Sequence, residues 1–233
     1  EWLVGSNQSN QDTLDLYGQY LMKAIPINLN IDHTKNILTI NENDSEEIKL
    51  YKLYRLKLQV FLQSPLSYRV ERIMKFLPRE LLHEYALLLS RLGSHEEVLM
   101  IYVHQLQETE AAEAYCDRIY NEITRKAHSD SLDNTASMVY LCLLKVQLAL
   151  SSIPSKSLNS PAMNSRESLI LAITTAEKYC DRLNPCDVLD ILPPTAPLAM
   201  LQNFLSKSIE YANSRKRNLQ ILHQLLRVHE VNL

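Results

Sequence analysis

Glycine is nearly absent from this chain: only Gly5, Gly18 and Gly93 occur in 233 residues, and no two lie close together. Glycine supplies the left-handed and crowded backbone on which tight hairpins and phosphate-cradling loops depend. P-loop and dinucleotide-binding turns need several glycines within a few residues, so none can be assembled here. Cysteine is also sparse. Cys116, Cys142, Cys180 and Cys186 contain no C-x2-C pair. A chain of 26.9 kDa with 46% hydrophobic residues can build a core without disulfides, which makes a reducing cytosol the simpler setting. The seven histidines, at 33, 83, 95, 104, 128, 223 and 229, include no pair three or four apart, so no helix offers two imidazoles to one metal. No metal and no cofactor are expected.

Charge of one sign is missing as well. A formal charge of −3 and a pI near 6.2 argue against a nucleic-acid binder, which presents a clearly basic surface to phosphates. The longest apolar stretch, residues 138–150, is interrupted by Lys145 and Gln147 and falls short of the roughly 20 residues a bilayer span requires. It reads as a buried helix. The start at Glu1 shows no Met, basic n-region or apolar h-region, and reads as an excised piece of something larger with no signal peptide.

What is present is helical signal throughout. Residues 12–25 carry Leu14, Tyr17, Leu21 and Ala24 on one face before Pro26. A polar connection, 27–43, precedes a capping-box-like start at Asp44 and Glu47 and a helix with Leu50, Tyr54, Leu58 and Phe61 at helical spacing. A short helix to Leu77 follows, and Pro78 begins another. Leu81, Leu82, Tyr85, Leu88, Leu89 and Leu92 form a broad stripe, and Gly93 stands where a helix C-terminus wants a left-handed residue. Ser94 and Glu97 read as a capping box for a helix to Gln107. Thr109 opens the next helix, with Ala112, Tyr115, Cys116, Ile119 and Ile123 inward.

Residues 135–150 are apolar on nearly every side, as expected of a helix between neighbours. The stretch 151–164, rich in Ser, Pro and Asn, reads as a flexible loop between helical hairpins at 1–150 and further hairpins at 165–233. Beyond it, Leu169, Ile173, Ala176, Cys180 and Leu183 make a stripe, and Asn184-Pro185 reads as an N-cap with proline at the first helical position. A long pair closes the chain, with Leu198, Leu201, Leu205, Ile209 and Ala212 on one helix and Leu219, Leu222 and Leu226 on the other. AEAYCDRI at 112–119 returns as AEKYCDRL at 176–183, an echo that fits two helical hairpins per offset. The fold class is therefore all-α, an α-solenoid of antiparallel hairpins.

Catalytic constellations are weak. Cys116 or Cys180 as a nucleophile needs a base and an oxyanion hole that the sequence does not show, and each sits on an apolar stripe where thiols act as small hydrophobes. Glu110, Glu113 and Asp117 share one face near a helix start and read as a solvated acidic surface. Arg215, Lys216 and Arg217 form the one dense basic cluster, either a polar turn before the last helix or a contact for an acidic partner. Twelve tyrosines against one tryptophan and three phenylalanines suit inter-helix grooves and protein interfaces.

Local sequence adds a resemblance. Residues 84–120, with the L-G-x-H-E-x-x-L turn at Leu92, Gly93, His95, Glu96 and Leu99, the Y-V-H-x-L run from Tyr102 and the A-E-x-Y-C signature ending at Cys116, resemble the C-terminal helical region of the vacuolar sorting protein 39 and TGF-beta receptor-associated protein family. RLKLQVFLQS at 55–64, VLDILPPTAPLAMLQNFL at 188–205 and the basic, leucine-rich end from Arg215 are similar to further family elements. The resemblance spreads over 50–233, with low-similarity loops at 124–135 and 151–164.

The resemblance implies a clathrin-heavy-chain-repeat solenoid in a subunit of the HOPS or CORVET tethering complexes. Such a subunit acts without catalysis in endosome-to-vacuole or lysosome trafficking, fusion and autophagy. It also implies a cytoplasmic, peripheral and indirect membrane association, on late endosomes and vacuoles or lysosomes. The implied partners are other tethering subunits, vacuolar sorting protein 11 above all, and a Rab GTPase through the parent protein. The family's β-propeller and cysteine-rich zinc element have no counterpart in these residues, so their functions are not assigned to them. Arg215, Lys216, Arg217, Leu222 and Leu226 are the expected partner-binding residues. The alternatives are an unrelated adaptor solenoid and a helical hydrolase or transferase using Cys180 or a carboxylate cluster.

Overall fold

A computed structural model describes residues 7–26, 44–126, 133–149, 165–194 and 196–231. All its secondary structure among these residues is helical. The elements are α1 (Asn7–Ala24), α2 (Glu46–Gln63), α3 (Val70–Phe76), α4 (Leu82–Leu92), α5 (His95–Met100) running into a π-helical turn (Ile101–Gln105), α6 (Thr109–Lys126), α7 (Asp133–Ala149), α8 (Ser165–Lys178), α9 (Pro185–Ile191) and α10 (Leu198–Val231). The stretches 27–43 and 151–164, expected as connections, lie outside the described residues. The helices gather into two compact units, Glu1–Glu108 and Thr109–Leu233.

In the first unit α1 packs on α2 and α3, and α4 closes over α2 and α3. Its core joins Leu21 and Met22 of α1, and Ile25 just after it, to Leu58, Phe61 and Leu62 of α2, Ile73 of α3 and Leu88 of α4. Of the expected stripe on α2, Leu58 and Phe61 are buried and Tyr54 packs on the core, whereas Leu50 is exposed. The buried face is also wider than the stripe, taking in Tyr51, Arg55, Gln59 and Leu62. The reason is polar in part: Arg55 and Gln59 turn inward to hydrogen-bond Glu84 of α4. Tyr17 of α1 is likewise more exposed than its stripe implies, although its ring meets Phe61 edge-on at 5.5 Å.

Gly18 of α1 stands close against α2 and α3. A Cβ there would stand 3.0 Å from Phe61 Cε1 and 3.2 Å from Ile73 Cδ1. Valine for glycine inside a helix ordinarily gains from reduced backbone freedom, but here two methyl groups would enter filled space. Gly18→Val is expected to cost about 1–3 kcal/mol, read as a lower urea midpoint at unchanged slope.

Several terminus readings are met and two are corrected. Gly93 ends α4 at φ 78°, the left-handed position its sequence context asked for. Asn184 caps α9 by accepting from the Cys186 N–H, with Pro185 at the first turn. The cap of α2 is Ser45, accepting from the Ile48 N–H, one residue beyond the expected Asp44. Ser94 precedes α5 but makes no side-chain cap: its backbone, at ψ 65°, lies outside the extended region from which a hydroxyl reaches the first turn.

In the second unit α7 is sandwiched between α6 and α8 and also meets α9, while α10 packs on α8. The burial of α7 from Ala136 to Gln147 on nearly every side follows from that position. The closing pair is not a pair. α10 is one helix of 34 residues, about 51 Å long, and Arg215, Lys216 and Arg217 lie within it rather than in a turn. No glycine or proline occurs between Pro197 and the end of the chain, and Arg and Lys are good helix formers, so nothing breaks it.

Candidate functional site

The first echoed segment lies on α6, and the second spans the end of α8 and the turn after it; between them they carry polar contacts across the α6–α7–α8 sandwich. Glu113, in the first echo, accepts from Lys178 and from the Tyr179 hydroxyl. Glu177, its counterpart in the second, stands 3.7 Å from Lys207 of α10. Asp117 Oδ1 accepts from Tyr140 at 2.6 Å and from Arg182 Nη1 at 2.5 Å. The Arg182 guanidinium lies 4.8–5.6 Å from the ring centroids of Tyr120, Tyr140 and Tyr179. The expected solvated acidic face is therefore corrected at two of its three residues: Glu110 is exposed, whereas Glu113 and Asp117 hold neighbouring parts of the unit. Burial raises the Tyr140 phenol well above its usual range, and its hydrogen bond to Asp117 adds to the shift.

The same architecture disposes of the cysteines. Cys116 is fully buried, and desolvation, followed by the nearby Asp117 carboxylate, pushes its thiol far up. Cys180 is half-buried and also raised, by burial first and Asp181 second. A nucleophilic cysteine needs the opposite environment, one that favours thiolate. Iodoacetamide at pH 8 is expected to label exposed Cys186 first and Cys180 slowly, leaving Cys116 until denaturant is added; rapid labelling of Cys180 would revive the enzymatic alternative. Among the described residues no group of three His, Cys, Asp or Glu is placed to hold a metal, and no helix is long and apolar enough to cross a membrane.

What remains prominent is α10. Its first turns bury Leu201, Phe204 and Ser208, with Leu201 against Leu169 and Ile173 of α8. From residue 209 to 227 every position is exposed, about 28 Å of helix. Leu219, Ile221, Leu222, Leu225 and Leu226 are each 53–62% exposed there. Apolar surface gathered on so short a length marks an interaction site more often than bare surface. The structure thus brings all five expected partner-binding residues, Arg215, Lys216, Arg217, Leu222 and Leu226, onto one projecting helix. Beside it lies a groove of about 690 Å³. One wall is α10 at Tyr211, Ala212, Arg215 and Leu219, and the other is the 180–185 turn. Sequence reasoning missed this turn as a wall, because the stripe ending at Leu183 pointed only to a core.

Comparison with known proteins gives the family. The human Vam6/Vps39-like protein is 33% identical over 175 residues, covering 74% of this chain, and the mouse protein is 32% identical over the same span. The chain belongs to the vacuolar sorting protein 39 family. The Caenorhabditis elegans vacuolar protein sorting-associated protein 39 homolog is 31% identical over 76% of the chain, and human transforming growth factor-beta receptor-associated protein 1 is 27% identical over 73%. The chain spans about a fifth of the length of these family members. No family model and no solved structure matches it.

Proposed function

We propose that this chain is a non-enzymatic scaffold segment of a membrane-tethering subunit, acting in endosome-to-vacuole or lysosome trafficking by binding other proteins. Family membership supports the trafficking role. The observation that carries the binding role is the projecting half of α10, whose leucines and three adjacent cations face solvent over 19 successive residues. Side chains of this kind contribute little to the unit's own stability and fit a partner's helix well.

Within that reading, the hairpins are turns of an α-solenoid of the clathrin-heavy-chain-repeat kind, in which length grows with repeat number and distant ends are held apart. HOPS or CORVET is the assembly, vacuolar sorting protein 11 the partner of α10, and Rab and membrane attachment belong to the parent protein. The raised thiols of Cys116 and Cys180 favour scaffolding over cysteine chemistry.

The test is a pull-down of vacuolar sorting protein 11 by the chain carrying Arg215→Glu, Lys216→Glu, Arg217→Glu and Leu226→Asp. These positions are exposed, so the fold should persist, while loss of apolar contact and reversal of charge should lower retention at least about tenfold. Undiminished retention discards the assignment.

A further inference from the structure

We propose that the groove between α10 and the 180–185 turn seats an acidic amphipathic helix from a different protein chain. Its leucines would pack at heptad spacing on Leu219 and Leu222, and its carboxylates would meet the cations beside them. The inference rests on the reading of α10 as an interface, and adds to it a second wall, a partner geometry and a partner charge.

Three observations carry it. The first is continuity with a seam that is already packed. Leu201, Leu205 and Ser208 face the body of the unit, and the same four-three spacing runs on through Ala212, Arg215, Leu219, Leu222 and Leu226, all of them exposed. A helix laid along these positions would extend the packing that α8 begins, with the leucine spacing of a coiled-coil seam.

The second is shape. The groove is lined by Leu183 and Pro185 of the turn and by Ala212, Leu219 and Leu222 of α10, so apolar side chains come from both elements. Ser208, which also lines it, is 4% exposed, and its Oγ has no hydrogen-bond partner.

The third is charge. α10 carries Arg215, Lys216, Arg217 and Arg227, with Lys207 already beside Glu177, against Glu210 and Glu230, whereas the whole chain is net negative. A second copy of α10 would bring more positive charge to a surface already in excess, so like-charge repulsion disfavours self-pairing. An acidic helix is attracted by the same field. On the turn wall Asp181 is the one carboxylate lining the groove among the described residues, and it opposes such an occupant.

The experiment titrates the full 233-residue chain into a fluorescent synthetic helix of leucine heptads flanked by Glu, and separately into the same helix flanked by Lys. The Glu helix is expected to bind at least about tenfold tighter. Ala212→Trp, which fills the groove from an exposed position, should weaken it about tenfold, and Asp181→Lys, on the far wall, should tighten it about threefold.

Equal binding of the two helices overturns the proposal. So does a concentration-dependent dimer of the chain that excludes the peptide, which would make the occupant a second copy. If reversal at Arg215, Lys216 and Arg217 weakens binding while Ala212→Trp and Asp181→Lys change nothing, α10 is an interface and the groove is not. That outcome ends this inference and leaves the scaffold reading standing. Circular dichroism of each variant separates lost binding from lost fold.

Discussion

Glu84→Ala is expected to lower the stability of the first unit by about 3–5 kcal/mol, the cost of leaving a buried charge without its partner. The Arg55 guanidinium and the Glu84 carboxylate are 1% and 0% exposed. Arg55 donates from Nε to Oε1 at 2.7 Å and from Nη2 to Oε2 at 3.3 Å, a two-pronged contact between α2 and α4. Gln59 donates to the same Oε1 at 2.6 Å, and Arg55 Nη1 donates to the Tyr51 hydroxyl at 3.1 Å. Burial opposes the charge on Arg55, but Glu84's hydrogen bonds and charge outweigh it and raise the pKa. Alanine at 84 removes that compensation and strands the guanidinium.

The double variant Arg55→Met with Glu84→Leu separates the pair's net worth from the cost of breaking it. Apolar side chains of similar volume in place of a buried pair are often neutral or stabilising, so the double variant should be far closer to the natural chain than Glu84→Ala alone. Urea unfolding followed on each variant gives the comparison; a single variant as stable as the parent would show that the pair is not desolvated as described.

Tyr140→Ala should be of similar size in the second unit, about 3–5 kcal/mol, because it empties the middle of the α6–α7–α8 sandwich. The ring is fully buried and lies 4.6 Å from Tyr179 and 5.8 Å from Tyr120, centroid to centroid. Tyr140→Phe keeps the ring and loses only the hydroxyl shared by Asp117 and Arg182, which should cost about 1–3 kcal/mol. The pH dependence has a definite sign. A phenol whose folded pKa lies above its unfolded value of 10.0 keeps its proton in the fold, so its contribution is complete below pH 10 and is lost as pH rises beyond it. Tyr51, Tyr68 and Tyr179 are raised too, chiefly by burial, so alkaline melts should show stability falling above pH 10, less steeply in Tyr140→Phe.

The sequence showed where these helices lie because most carry apolar periodicity and clear stops. Pro26, Gly93 and Asn184-Pro185 behave as their local chemistry requires. It showed less well which face turns inward. A charge within a stripe, such as Arg55, looks like an outward position until Glu84, 29 residues on, is seen opposite it. Pairing at that distance leaves no periodic trace. Glu113 and Asp117 of α6 give no sequence sign of their pairing for the same reason, since their partners Lys178 and Arg182 lie some 65 residues away.

The echo at 112–119 and 176–183 did hold a usable signal. Each copy places a Glu beside a Lys of a following helix, Glu113 by Lys178 and Glu177 by Lys207. Arg215, Lys216, Arg217, Leu222 and Leu226 stand out in the sequence because they combine charge density with a leucine pattern, and the structure exposes each of them. Their setting does not stand out, since a basic triplet reads as a turn when hydrophilicity is weighed above helix propensity. With no breaker between 198 and 231, propensity prevails.

The central claim is that the outer half of α10 is where another protein binds. Hydrogen exchange of the chain, alone and saturated with vacuolar sorting protein 11, tests it directly. Strong added protection across 209–227, with the first unit unchanged, is the result expected. Stable binding with those amides exchanging as freely as before would contradict it.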